Sequence, residues 1–248
     1  MRYFTTRLVL AGFIGLLGCK TQAPQPTTVA YEGVKITTEA PKDSNVLKML
    51  KPFSDSINKT MNKVIGFAVN NLAKKQPESN LGNLMTDCML VQASATFGIQ
   101  ADAAFVNYGG IRSYIPKGEV TVGKVYELMP FDNLIVVQKL SGKVLLQFLQ
   151  HITQRGTWPC SGIKYTVVNK QPTNIFIGGK PLDEAKDYYI VNTDYITSGG
   201  DDCDMLRPFP VMNKGYLFRD ALISYFQLLT QQGKPIDAPI ENRITINN

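Results

Sequence analysis

Histidine is almost missing from this sequence: 248 residues hold one, His151, beside one tryptophan and four cysteines. A catalytic metal site draws on several histidines and carboxylates. His151 stands alone on a predicted helix, with no Asp or Glu three or four residues away. It reads as a helix-surface or interface side chain, not a metal ligand. Ser-His-Asp catalysis is disfavoured for the same reason, since no Gly-x-Ser-x-Gly element accompanies the one available base. No Cys-x-x-Cys pair marks a zinc site, and no Asp-x-Asp-x-Asp-Gly loop marks calcium. For the cluster Asp201, Asp202 and Asp204, loop solvation is the reading favoured over a calcium site. No Lys/Arg block forms a nucleic-acid face.

Enough remains for a globular domain. Apolar residues make up 44% and charged residues 19%, an ordinary balance for a chain that buries a core. Lys and Arg number 26 against 20 acids. Without Arg2 and Arg7, which lie in a segment expected to be removed, the balance is +4 (24 − 20). That suits an anionic small ligand without demanding one.

Leu8 to Leu17 is an apolar run too short for a membrane-spanning helix, which needs ~20 residues, and it suits the core of a secretory signal. It ends in Leu16-Leu17-Gly18-Cys19, which resembles a bacterial lipobox. The expectation is a lipoprotein signal peptide over 1–18, a lipid on Cys19, and a proline-bearing tether over 19–42. The protein is then exported and anchored to a bacterial membrane, on its periplasmic or cell-surface face. Export permits a disulfide among Cys88, Cys160 and Cys203. Three is an odd number, so at least one is a buried thiol, and the pairing stays open.

Residues 43–248 read as one α+β domain with a mixed sheet. An amphipathic helix is predicted over 43–63, with Pro52 as a kink or break. Ser79 or Asn80, Thr121 and Ser141 cap further helices. Strands are predicted over 64–69, 101–106, 134–140, 162–168, 174–177, 188–193 and 243–246, and a last helix over 217–229.

Two glycine loops follow strands. The first, after the 101–106 strand, contains Asn107, Gly109, Gly110 and Arg112. The second, Ser198-Gly199-Gly200-Asp201, follows Tyr195. Paired glycines after a strand mean a tight turn or a closely approached backbone. If the loops converge with Phe131, the pocket has two aromatic faces, an amide, an arginine and a carboxylate. A flat base stacks between rings, a carboxylate accepts from ribose hydroxyls, and a guanidinium forks onto phosphate or sugar oxygens.

Asn107-Tyr-Gly-Gly-Ile-Arg112, Met129-Pro-Phe131, Tyr195-Ile-Thr-Ser-Gly-Gly-Asp201 and Glu78-Ser-Asn-Leu-Gly-Asn-Leu84 resemble, as a set, the motifs of the 5′-nucleotidase C-terminal domain. The resemblance spans about 45–248. It implies a nucleotide or nucleoside ligand, with Phe131 and Tyr195 stacking on the base and Asn107 near base and ribose. It implies further that Arg112 reaches ribose or phosphate and that Asp201 holds the ribose hydroxyls. Pro77, with Lys74 and Lys75 nearby, stands where an arginine is common, and Asp202-Cys203 replaces a frequent Gly-Phe. Full-length members add a metallophosphatase domain with two divalent metals. This chain carries none of that domain's motifs, so it is expected to bind no cofactor itself. The resemblance leaves three readings: a recognition half acting with a separate metallophosphatase chain, a stand-alone nucleoside- or nucleotide-binding surface lipoprotein, and an interaction protein with a decayed pocket.

Overall fold

A computed structural model of the chain describes residues 31–247, so the expected signal peptide, Cys19 and the first part of the tether lie outside the described residues. The chain divides into two units, 1–47 and 48–248. In the first, residues 31–42 form exposed coil with one turn, and Asp43 Oδ1 accepts from the amides of Asn45 and Val46 at 2.8 and 3.1 Å. This caps α1 (Ser44–Met61) through the ordinary N-terminal acceptor role of Asp. The helix runs on through Pro52 rather than breaking there. At a solvent-facing position the carbonyl orphaned by proline can bond to water. Leu50, Phe53 and Ile57, on its apolar stripe, are exposed.

The second unit is built on a five-stranded mixed sheet. Its order is β10 (Val211–Leu217), β4 (Leu134–Ser141), β9 (Asp187–Thr193), β2 (Ala103–Phe105), β5 (Cys160–Ser161). Only β2 and β9 run parallel; the other pairs are antiparallel. Side chains alternate across each strand. Ala104, Ile135, Val137 and Val191 join one core with α2 (Asn80–Phe97) and α5 (Phe218–Gln231). Ala103, Phe105, Leu140 and Ile190 join a second core with α4 (Gly142–Gln154). A four-stranded sheet, β11 (Ile244–Asn247), β6 (Ile163–Val168), β7 (Gln171–Ile177), β8 (Lys180–Pro181), contributes Ile163, Tyr165 and Ile177 to that second core. The antiparallel pair β1 (Val64–Ala68) and β3 (Gly118–Thr121) forms a third, two-stranded sheet. The α+β class expected from the sequence holds, and in the described residues its strands are shared among three sheets.

Ser79 accepts from the Gly82 amide, Thr121 opens α3 (Val122–Leu128), and Ser141 opens α4, as their side-chain acceptors predict. The Glu78–Leu84 motif proves structural. A Cβ on Gly82 would lie 2.7 Å from Pro159. Glu78 accepts from Asn83 Nδ2 and from the amides of Glu241 and Arg243 at 2.7–2.9 Å, tying the C-terminal segment to α2.

Cys88, Cys160 and Cys203 are buried free thiols. Burial pushes Cys160 and Cys203 up to about 12 and Cys88 well above its usual range. A buried thiol that stays protonated is a poor nucleophile. None of the three should react with an aromatic disulfide reagent at pH 8 in the native chain, and all should react in denaturant. Rapid native labelling would contradict this.

Candidate ligand-binding site

The parallel pairing of β2 and β9 fixes where the chemistry gathers. Loops leaving the C-terminal ends of adjacent parallel strands emerge at one edge of the sheet. β4 is antiparallel to β9, so the segment leading into β4 arrives at that same edge. Residues 107–112, 194–201 and 129–133 thus meet. They enclose a cavity of about 350 Å³ lined by Asn107, Gly109, Gly110, Arg112, Phe131, Asn133, Tyr195 and Asp201. All seven residues expected from the sequence are present. Asn133 is an addition: an asparagine just before a strand carries no distinguishing signal.

The glycines allow close approach. A Cβ on Gly110 would lie 2.5 Å from Asn107 Oδ1, and one on Gly200 would lie 2.5 Å from the Tyr195 ring. The paired glycines therefore make room for the site's own side chains.

Asp201 is the hub. Its backbone is left-handed, with φ 52° and ψ 35°, a conformation uncommon outside glycine, though less so for Asp. Asn107 Nδ2 donates to Oδ2 at 2.8 Å, and the Tyr195 hydroxyl donates to Oδ1 at 3.0 Å. Buried Asn107 Oδ1 finds no partner among the described residues. Phe131 and Tyr195 are 39% and 45% exposed, so their rings are open to solvent rather than locked in either core. The Arg112 guanidinium carbon lies 5.7 Å from the Phe131 ring centroid, and Nη1 donates to the Gly109 carbonyl.

Other residues hold the rim from behind. Arg219 donates to the Phe131 carbonyl at 3.3 Å and to Asp132 at 2.8 Å, and its guanidinium stacks on Tyr126. Lys74 Nζ donates to the carbonyls of Tyr108 and Ile111 at 3.1 and 2.7 Å. Desolvation, then the nearby charge of Arg112, lowers its pKa. Lys74 therefore staples the first glycine loop, while Lys75 is exposed. At the Pro77 departure, Thr157 Oγ1 donates to the Pro77 carbonyl at 3.1 Å. At the other departure, Asp202 pairs with Arg155 and Cys203 is fully buried. Asp204 pairs with Arg207. His151 is half-buried, not a free surface group, and its Nε2 lies 2.9 Å from the Asp201 carbonyl. Among the described residues no three His, Cys, Asp or Glu side chains are grouped to hold a metal ion.

The hydrogen bond to Asp201, then burial, raises the Tyr195 phenol above its usual 10. A raised folded value means the bond's contribution is complete below pH 10 and is lost as pH climbs through the folded value. The tyrosinate absorbance of wild type minus Tyr195→Phe should titrate above pH 10. A midpoint at or below 10 would contradict the bond.

The family model described as "5′-nucleotidase, C-terminal domain" matches residues 56–208. Over 215 residues the chain is 28% identical to a 5′-nucleotidase of Vibrio vulnificus, covering 82% of this chain and 37% of that protein. It is 30% identical over 187 residues to the trifunctional nucleotide phosphoesterase protein YfkN of Bacillus subtilis, covering 67% of this chain and 12% of that protein. The crystal structure of a 5′-nucleotidase precursor from Thermus thermophilus superposes with a TM-score of 0.72 at 31% identity, over 84% of this chain and 44% of that one. The chain spans less than two fifths of the length of the first curated relatives it matches. Sequence motifs, fold and comparisons agree that this chain belongs to the family of 5′-nucleotidase C-terminal domains.

Proposed function

We propose that the chain is the nucleotide-recognition half of a 5′-nucleotidase-type hydrolase and acts with a separate metallophosphatase chain. One observation carries the ligand reading. Two solvent-open aromatic rings, a carboxylate already hydrogen-bonded into place and an arginine all face one cavity of about 350 Å³. That volume lies at the lower end of the ~300–1,000 Å³ usual for small-molecule sites. Stacking on the rings orients a base, Asp201 takes ribose hydroxyls, and Arg112 takes an anionic oxygen. In this reading the chain positions the nucleotide and the hydrolytic chemistry falls to the partner. The exposed stripe Leu50, Phe53 and Ile57 of α1 lies at the N-terminal border of the family match, the side on which longer relatives continue. The partner covers that stripe in this reading.

Titration of the full chain with AMP, adenosine and a UDP-sugar tests ligand binding. Adding a metallophosphatase encoded beside it tests the pairing. AMP should bind, and the mixture should hydrolyse it faster than either chain alone. Binding without any gain on mixing would favour the stand-alone surface-binding reading; no binding would reject both.

The chain is exported and lipid-anchored through Cys19 in this account, supported by the lipobox-like Leu16–Cys19. Cys19→Ser should move it from the membrane to the soluble fraction, and unchanged fractionation would count against the anchor.

A further inference from the structure

The geometry points to His151 as a positioning residue for the ligand site: its Nε2–H holds the Asp201 carbonyl, keeping Asp201 in the left-handed conformation that presents its carboxylate to the cavity. This rests on the nucleoside reading of the site.

The two sides of Asp201 have different jobs. Its carboxylate faces Asn107 and Tyr195, and both oxygens are engaged from within the pocket. Its carbonyl points away, toward the last turn of α4. There His151 Nε2 sits at 2.9 Å, with Arg155 Nη1 at 3.4 Å and Cys203 Sγ at 3.8 Å. The histidine contact is the shortest of the three, and of the two nitrogen contacts only it has ordinary hydrogen-bond length. A carbonyl has no proton to give, so Nε2 must carry one, which fixes the neutral ring as the Nε2–H tautomer.

On the cavity side Asp201 is held by the two carboxylate bonds and by its own N–H, which donates to the Tyr195 hydroxyl at 3.3 Å, and the left-handed backbone still carries a cost outside glycine. Asp201 and Asp202 both have positive φ, at 52° and 58°, and the segment is a single turn of 3-10 helix. Among the described residues the Asp202 side chain pairs only with exposed Arg155, a screened pair of little worth. His151, half-buried and carried by a helix packed into the second core, is the rigid point of attachment. Without it, Asp201 relaxes toward right-handed backbone and its carboxylate swings off the line set by Asn107 and Tyr195.

The consequence is selective. Loss of His151 should damage contacts made through Asp201, the ribose hydroxyls, and spare base stacking on Phe131. The full chain, as wild type, His151→Ala, His151→Gln, Asp201→Asn and the double variant H151A/D201N, is titrated with adenosine and 2′,3′-dideoxyadenosine. Adenosine affinity should fall about tenfold in H151A, with dideoxyadenosine changing less than about twofold, and the double variant should match D201N alone, as expected for two residues acting as one unit. H151Q, whose amide N–H can reach the same carbonyl, should recover most of the loss. Unchanged adenosine affinity in H151A, or equal loss for both ligands, overturns the inference. A wild type that binds neither ligand, or does not distinguish them, fails the ribose reading itself, and the inference falls with it before any variant is scored.

If H151A does not fold, the wild type still decides. With one histidine in the sequence, the imidazole nitrogen spectrum of the untagged chain has a single assignment. The Nε2–H tautomer, shifted by adenosine but not by the dideoxy analogue, supports the inference. A neutral Nδ1–H ring overturns it.

Discussion

Alanine at Phe131 should weaken adenosine or AMP binding by about fivefold to 150-fold, because base–aromatic stacking contributes ~1–3 kcal/mol per base. The fold should barely respond. The ring is 39% exposed and belongs to neither core cluster, and substitutions at such positions usually stay within ~0.5 kcal/mol. Tyr195→Ala should cost more, since the phenol both stacks and donates to Asp201 at 3.0 Å. Tyr195→Phe separates the contributions: it keeps the ring and loses the hydroxyl, with the bond it donates to the Asp201 carboxylate and the one it accepts from the Asp201 amide. Phe131→Tyr should be close to neutral. Calorimetric titration of these four variants, with melting curves as a folding control, checks the series. Wild-type affinity in both alanine variants would remove the stacking claim.

The largest effect on stability should come from Arg243, which does not line the cavity. Its side chain is 7% exposed and makes a bidentate pair with Asp87 at 2.7 and 2.9 Å. It also donates to the Cys160 carbonyl at 3.0 Å and to Glu241. This one guanidinium joins the segment before β11 to α2 and β5. Burial opposes its charge, but the hydrogen bonds and charge of Asp87 and Glu241 outweigh that, and its pKa rises. Arg243→Met leaves Asp87 with Ser161 as its remaining side-chain partner. Removing one partner of a buried pair costs ~3–5 kcal/mol. In a domain of this size each kcal/mol lowers the melting temperature by about 2–4 °C, so a drop of roughly 6–20 °C is expected by thermal circular dichroism. Asp87→Leu combined with Arg243→Met should recover part of the loss, because the stranded charge goes too. A melting temperature unchanged in R243M would show that the pair contributes nothing.

Much of this was legible in the sequence because the signals were local. Ser79, Thr121 and Ser141 announce helix starts through acceptors at the right offset, and the two glycine loops mark the site because backbone and side chains must approach closely there. What stayed hidden acts across the fold. β10 is an edge strand exposed along most of its length, so it shows no apolar alternation to read. Arg219, Lys74 and His151 all work by donating to main-chain carbonyls that no spacing rule encodes. The Glu78–Leu84 motif was visible as a family signature, but its duty is a helix cap, a tight glycine contact and an anchor for the C-terminal segment, none of which lies at the cavity.

A crystal structure of the full chain with adenosine would test the central claim most directly. The account predicts a base between the rings of Phe131 and Tyr195, with the ribose 2′- and 3′-hydroxyls on the Asp201 carboxylate. A nucleoside bound elsewhere, or seated in this cavity with its base away from both rings, would contradict it.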